Sequence, residues 1–513
     1  MRRLCYANKV RSLSDGVSLM KTVGFDNALY IQKQSEEIRK RIARLGGKLY
    51  LEFGGKLFDD FHASRVLPGF APDSKIQMLK AMADQAEIII AISASDIVKN
   101  TTRGDLGITY DADVLRLIDA FREFGLYVGS VVITRYESQP AAQKFQEKLE
   151  KLGLRVYRHY TIPGYPADVA RVVSDEGLGL NEYVETTRPL AVVTAPGPGS
   201  GKMAVCLSQM YHEYRRGGKA GYAKFETFPV WNLPLKHPVN LAYEAATANL
   251  NDVNMIDPWH LAAYGTTAVN YNRDVEVFPV LQAILDAIGN PGTYRSPTDM
   301  GVNMVGSAIV DDEVCCEASR QEVLRRYYQA RCDVRKGIGN EEPVNKIELV
   351  MKQVGITTAD RPVVAAALAR AEETGKPAVA IELPDGRIVT GKTSDLLGPS
   401  AAALLNAAKA QSGLSKETLL IAKSVIEPVQ MMKTKLLGNH NPRLHSDEVL
   451  VALAVSAALS KEAKQAADAL PLLRGCQAHS TVILSQVDAD IYRKLGMHLT
   501  CEPNYQTKKL YHK

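Results

Sequence analysis

Few cysteines, little net charge and no long apolar run characterise this sequence. It has 7 cysteines in 513 residues, an odd number that does not suit a disulfide framework and favours a reducing compartment. Lysine plus arginine number 62 against 57 for aspartate plus glutamate, which indicates no strongly basic surface for nucleic acid. The most apolar runs, 86–92 and 449–459, are too short to cross a membrane, and the N-terminus lacks the apolar stretch of a signal peptide. We therefore expect a cytoplasmic protein that binds neither nucleic acid nor membrane.

An apolar strand, a glycine-rich turn and a helix follow one another in residues 191–212. Residues 191–195 are apolar and mostly β-branched, as in a buried strand. Two prolines and three glycines in residues 196–201, called the glycine turn here, end that strand and permit positive φ angles. Helical spacing begins at Lys202, so turn amides, the positive helix end and an ammonium would converge on one anion. The predicted phosphate-binding residues are Gly197, Gly199, Ser200, Gly201 and Lys202.

This stretch meets the P-loop pattern G-x-x-x-x-G-K-[ST] only in part. Gly201 and Lys202 fit, but Pro196 replaces the first glycine and Met203 replaces the magnesium-binding hydroxyl. Methionine offers no hard oxygen to Mg²⁺, so a metal ion would need another ligand. The alternative interpretation is an ordinary glycine-rich connection with Lys202 in solvent.

The first third of the chain alternates strand and helix patterns, which predicts a doubly wound, mainly parallel α/β sheet. The predicted strands are 48–53, 87–92, 126–134 and 154–160. Ligands bind such sheets outside the carboxyl ends of the strands, and polar residues follow those ends here. They include Glu52, Ser93, Ser95 and Thr134. Lys56 and Arg103, in the adjoining loops, are predicted to hold a second anionic group, although loops are polar by default.

A short apolar run, 307–310, precedes Asp311 and Asp312. A Walker-B strand holds Mg²⁺ in this way, so we predict a strand here with either carboxylate as a metal ligand. Short runs that end in aspartate are common, and the metal requirement stays open.

The length of the chain predicts several domains. We place the boundary near Gly337–Gly339, giving a Rossmann-like or P-loop-like region 1–340, which could divide at 185/186, and a smaller α/β domain 341–513. The latter is predicted to contain a hairpin around Asp385-Gly386, a helix over 415–426 and a strand over 480–485. The pairs Cys476-x₂-His479 and His498-x₂-Cys501 have spacings compatible with zinc. Their alternative role is packing.

Several long stretches resemble uncharacterised protein family 0371, a bacterial domain-of-unknown-function family. They include LEFGGKLFDD (51–60), TAPGPGSGKM (194–203), FPVWNLPLKHPVNLAYEAAT (228–247), SPTDMGVNM (296–304) and NPRLHSDE (441–448). The likeness runs from about Gly24 to the C-terminus. It implies a bacterial source, a long N-terminal domain and a smaller C-terminal one, and it assigns no reaction or catalytic residue.

Two functions fit the sequence. The first is an enzyme that binds ATP or another phosphorylated small molecule at the glycine turn and carries out phosphoryl-group chemistry, with Mg²⁺ as a candidate cofactor. In that hypothesis Lys202, Lys56 and Arg103 are the catalytic residues. The alternative is a non-catalytic metabolite sensor or scaffold. A zinc enzyme based on the C-terminal domain is a third possibility, and self-association is left open.

Overall fold

A computed structural model describes residues 23–55, 57–103 and 106–506. The chain forms two compact units, Val23–Ser319 and, among the described residues, 320–506. The boundary between them falls inside one long helix. The units are described separately below. Over the described residues, no helix combines the length and apolar character that crossing a membrane requires.

The first unit is built on a seven-stranded sheet in which every neighbouring pair of strands is parallel. Its strands are β1 (Leu49–Phe53), β2 (Ala86–Ser93), β5 (Tyr127–Thr134), β6 (Arg155–Arg158), β7 (Leu190–Thr194), β8 (Gly221–Phe225) and β11 (Gly301–Val302). Their order is β11-β8-β1-β7-β2-β5-β6. Two short antiparallel pairs, β3 (Thr102–Arg103) with β4 (Ile108–Thr109) and β9 (Asn254–Ile256) with β10 (Val269–Tyr271), lie outside this sheet.

Helices connect these strands. They are α1 (Asn27–Arg44), α2 (Phe61–Val66), α3 (Ser74–Lys80), α4 (Ala94–Val98), α5 (Tyr110–Glu123), α6 (Pro140–Lys151), α7 (Val169–Val172), α8 (Lys202–Arg215), α9 (Pro238–Ala246), α10 (Pro258–Tyr264), α11 (Asn272–Ile288), α12 (Pro297–Met300) and α13 (Asp312–Lys336), which contains the unit boundary. The α/β class is therefore confirmed.

The sheet forms because its central strands are apolar on both faces. Every residue of β2 and of β7 is buried. Ala191 and Val193 of β7 pack in a cluster with the apolar side of α8, whereas the intervening Val192 is equally buried and points to the other face. Continuous β-branched runs of this kind made the strands predictable from sequence.

The connections reverse direction between β7 and β2, which are neighbours in the sheet. From β2 the chain passes through α4 and α5 to β5 on one side, whereas from β7 it passes through α8 to β8 on the other. This is the topological switch point, where open α/β sheets leave a crevice beyond the carboxyl ends of the strands. The glycine turn follows the last residue of β7 and therefore lies at this crevice.

The strand predicted over 307–310 is wrong. Residues Val305–Ala308 form a 3₁₀ turn, and Ile309 makes only an isolated antiparallel bridge to Phe25. Asp312 is the first residue of α13, and the Asp311 carboxylate accepts the Val314 amide at 3.2 Å. Carboxylates satisfy and stabilise the amide end of a helix, which explains why two of them stand together here.

The second unit has a four-stranded mixed sheet of order β13-β12-β14-β15. Its strands are β12 (Ala378–Glu382), β13 (Ile388–Lys392), β14 (Gln477–Ser480) and β15 (His498–Cys501). Its remaining helices are α14 (Glu341–Val354), α15 (Pro362–Thr374), α16 (Pro399–Gln411), α17 (Lys423–Met431), α18 (Ser446–Ser456), α19 (Lys461–Ala469) and α20 (Gln486–Lys494). The hairpin around Asp385-Gly386 is present as predicted.

Two local predictions in this unit are wrong. The strand expected over 480–485 is instead β14, which ends at Ser480. The helix expected over 415–426 begins only at Lys423. At the predicted start, the Ser415 hydroxyl bonds the Glu417 side chain and accepts the Glu417 amide. Local serine bonds of this kind compete with helix formation.

Candidate functional site

The glycine turn joins the central strand β7 to α8. Gly201 is the N-cap of α8 with φ of 83°, and Gly199 has φ of 72°, a conformation that L-residues with side chains adopt only at a cost. Lys202 is the first residue of the helix. The predicted strand, turn and helix are therefore present in the predicted order.

Neighbouring side chains hold the turn on two sides. The Tyr110 ring packs so closely on Gly197 that an added Cβ would overlap its hydroxyl oxygen. Thr134, the last residue of β5, donates its hydroxyl to the Ser200 carbonyl at 2.8 Å. The buried Ser200 hydroxyl donates in turn to the Gly197 carbonyl at 2.7 Å. The turn is therefore fixed before any ligand arrives.

The acceptors of these hydrogen bonds are backbone carbonyl groups, so the backbone amides of the turn take no part in them. Within the described residues, the amides of Gly197 and of residues 199–204 donate no hydrogen bond, and no side chain caps α8. The Lys202 ammonium likewise forms no hydrogen bond or ion pair with any described residue. Pro198 and Gly199 are exposed to solvent. A row of unpaired donors next to one positive charge is suited to an anion.

Glu52 lies beside the turn on the neighbouring strand β1, in register with Val193 of β7. One of its oxygens accepts the Tyr222 hydroxyl at 2.8 Å. The charges of Glu52 and Lys202 both affect the pKa of the buried Cys206, which lies one helical turn after Lys202. Burial raises the pKa of its thiol, Glu52 raises it further, and Lys202 lowers it. The charges of Glu52 and Lys202 therefore act in opposite directions on the same thiol.

A second charged group follows on β8. Lys224 pairs with Glu226 at 3.0 Å and with Asp274 at the start of α11. Burial alone would lower the pKa of Lys224, but the two carboxylates raise it above its usual value, so the ammonium stays charged. Burial raises the pKa of Glu226, an effect that Lys224 opposes.

At the carboxyl end of β2, the hydroxyl oxygens of Ser93 and Ser95 are 2.7 Å apart.

The other predicted site residues are placed differently. Arg103 forms a 3.0 Å ion pair with the fully buried Asp113 of α5, which joins the short β3–β4 hairpin to that helix. Lys56 lies outside the described residues. Asp311 caps α13, and Asp312 lies against His237 and Cys316. That Asp311 or Asp312 is a ligand of a metal ion bound to phosphate stays a prediction. The strand from which it was inferred is not formed.

The four zinc-like residues of the second unit do not converge. His479 on β14 is in register with Thr500 of β15, and Cys501 with Ser480. Because successive strand residues alternate between faces, His479 and Cys501 point to opposite sides of the sheet. His479 instead bonds the Thr500 hydroxyl at 2.8 Å. Across the described chain, three potential metal ligands come together only at His237, Asp312 and Cys316.

Sequence reasoning missed Tyr110, His237 and the Lys224 group. No local pattern marks an aromatic ring that packs on a glycine from another segment, and His237 stands alone in a proline-rich stretch. Of the two carboxylates that pair with Lys224, Asp274 comes from the distant α11, and no local pattern marks that pairing. These contacts depend on how strands are ordered in the sheet.

Comparison with known proteins assigns the family. Residues 23–355 match "Domain of unknown function DUF1846, N-terminal", and residues 359–511 match its C-terminal counterpart. A UPF0371 protein of Streptococcus thermophilus strain LMD-9 is 58% identical over 494 residues, which cover 96% of this chain and all of that protein. This chain belongs to the UPF0371 family. A Streptococcus pyogenes serotype M5 relative, also named a UPF0371 protein, is 56% identical over the same length and the same shares of both chains.

The resemblance noted in the sequence is thus confirmed. Both the glycine turn and the group of His237, Asp312 and Cys316 lie within residues 23–355, which match the N-terminal domain DUF1846. Membership assigns no ligand to either place.

Proposed function

We propose that this protein binds a phosphorylated small molecule, with the phosphate at the glycine turn. The observation that carries the proposal is the unused row of amides at residues 199–204, next to the Lys202 ammonium and at the switch point of the sheet. A phosphate oxygen satisfies such donors without any rearrangement, because Tyr110 and Thr134 already fix the turn.

Glu52 and the Ser93–Ser95 pair support a ligand that also carries hydroxyl groups. A carboxylate beside a phosphate site commonly accepts the hydroxyl of a ribose, and Glu52 occupies the strand next to the turn. Sugar phosphates and nucleotides share this combination of groups. Phosphoryl transfer on such a ligand stays a prediction, and a sensor that binds without turnover uses the same contacts.

A binding panel tests the proposal. The full chain is titrated with inorganic phosphate, AMP, ADP, ATP, ribose 5-phosphate and glucose 6-phosphate, each with Mg²⁺ and with EDTA. Adenosine, ribose and glucose are the matched compounds without phosphate. We expect phosphorylated compounds alone to raise the melting temperature, because ligand at 100 times its dissociation constant stabilises the native state by about 2.7 kcal/mol.

The same panel separates the enzyme from the sensor. Magnesium-dependent stabilisation by ATP, with product formation seen by phosphorus NMR, supports phosphoryl chemistry. A metal-independent shift with one metabolite and no product supports a sensor. Equal shifts with phosphorylated and unphosphorylated compounds would contradict phosphate recognition altogether.

A further inference from the structure

His237, Asp312 and Cys316 bring three different metal-ligating atoms together in the first unit. His237 is the N-cap of α9, and Asp312 is the first residue of α13. Cys316 follows four residues later, so its side chain lies on the same face of α13 as Asp312. The group is separate from the glycine turn and does not depend on the function proposed for it.

The spacing of the three atoms fits one metal ion. The edges of the triangle are 3.3 Å from His237 Nε2 to Asp312 Oδ2, 3.6 Å from Nε2 to Cys316 Sγ, and 3.7 Å from Sγ to Oδ2. A tetrahedral zinc ion with bonds of about 2.0–2.3 Å has ligand–ligand separations of about 3.3–3.6 Å. We propose that His237, Asp312 and Cys316 form a zinc-binding site.

The kinds of ligand select the metal. A thiolate with an imidazole favours zinc over the hard cations Mg²⁺ and Ca²⁺, which take oxygen ligands. The Cys316 side chain is buried and that of His237 is 10% exposed, whereas that of Asp312 is 62% exposed. Zinc therefore enters from the Asp312 side. Three protein ligands leave the fourth tetrahedral position to water or to another small ligand.

In the metal-free protein a backbone amide sets the direction of the imidazole ring. The Val239 amide approaches His237 Nδ1 at 3.3 Å, which turns Nε2 towards Asp312 and Cys316. When zinc binds, the Cys316 thiol releases its proton and the imidazole proton moves from Nε2 to Nδ1. That move gives up the long contact with Val239 in exchange for a metal–nitrogen bond.

Cobalt and zinc titrations of the full chain test the site. After removal of bound metal with a chelator, we expect one Co²⁺ per chain to produce a thiolate-to-cobalt charge-transfer band, and one Zn²⁺ to displace it. Cys316→Ser should abolish the band. His237→Gln and Asp312→Asn should each weaken zinc binding by at least about tenfold.

Neighbouring residues supply matched controls. Cys315→Ser and Asp311→Asn change the same chemical groups one position away, and neither residue belongs to the triangle. Both should bind zinc like the unmodified chain. Because the Asp312 side chain is exposed, Asp312→Asn should keep the native circular dichroism spectrum. No band, or a band that survives Cys316→Ser, would overturn the proposal, as would equal losses in the two control variants.

Discussion

Lys202→Ala is expected to weaken the binding of inorganic phosphate and ADP by about 30-fold. Removal of one charge-assisted hydrogen bond costs about 2 kcal/mol, which corresponds to that factor in the dissociation constant. The melting temperature without ligand should stay the same, because the Lys202 ammonium has no hydrogen bond or ion pair among the described residues. Isothermal titration calorimetry measures the affinity, and calorimetric scanning measures the stability.

Lys144→Ala is the matched control for this variant. Lys144 is exposed on α6, so its loss changes the net charge of the protein equally without altering the glycine turn. It should bind phosphate and ADP with unchanged affinity. If both variants lose the same affinity, the loss comes from the change in net charge and not from a lost contact at the turn. Unchanged binding in Lys202→Ala would remove Lys202 from the site.

Arg361→Met is expected to destabilise the second unit by about 3 kcal/mol or more, the cost of removing one partner from a buried charged network. The Arg361 side chain is fully buried. It donates to the Gln477 side chain and the His498 carbonyl at 2.8 Å each, and to the Thr500 hydroxyl at 3.1 Å. Burial lowers the pKa of its guanidinium to about 10, with a smaller effect from Arg325. Methionine fills the space but leaves these acceptors unpaired.

Hydrogen–deuterium exchange of the full chain measures this loss. Amides of β14 and β15 should exchange about 100-fold faster in Arg361→Met, since each factor of ten corresponds to about 1.4 kcal/mol. Arg361→Lys keeps the charge but has fewer hydrogen-bond donors. Its exchange rates in β14 and β15 should lie between those of Arg361→Met and those of the unmodified chain. Arg387→Met removes an exposed arginine from the β12–β13 hairpin and should leave exchange in β14 and β15 unchanged. Equal protection in Arg361→Met and the unmodified chain would show that the network contributes little.

The first unit was largely predictable because its strands are apolar on both faces. Runs such as 86–93 and 190–194 can only be buried, and their alternation with helices implies a parallel sheet. The glycine turn was predictable for another reason, because its prolines and glycines must end the strand. Its anchors were not, because Tyr110 and Thr134 reach it from α5 and β5.

Polar segments explain the failures. The strand β14 carries His479 and Ser480, whose buried side chains bond Thr500 and the Val482 carbonyl, so its sequence does not read as a strand. The apolar residues that follow β14 are the reason why a strand was predicted over 480–485. Asp311 and Asp312 likewise suggested the end of a strand, although they begin a helix. In both places hydrogen bonds between segments decide the structure, and spacing along the chain does not show them.

A crystal structure of the full chain with bound tungstate tests the phosphate site most directly. Tungstate is a tetrahedral oxyanion like phosphate, and its metal gives an anomalous signal that locates it without ambiguity. We expect one strong peak within hydrogen-bonding distance of the amides of residues 199–204 and of Lys202 Nζ, and its loss in Lys202→Ala crystals. Protein acceptors bonded to those amides, with no peak at the turn, would contradict the account.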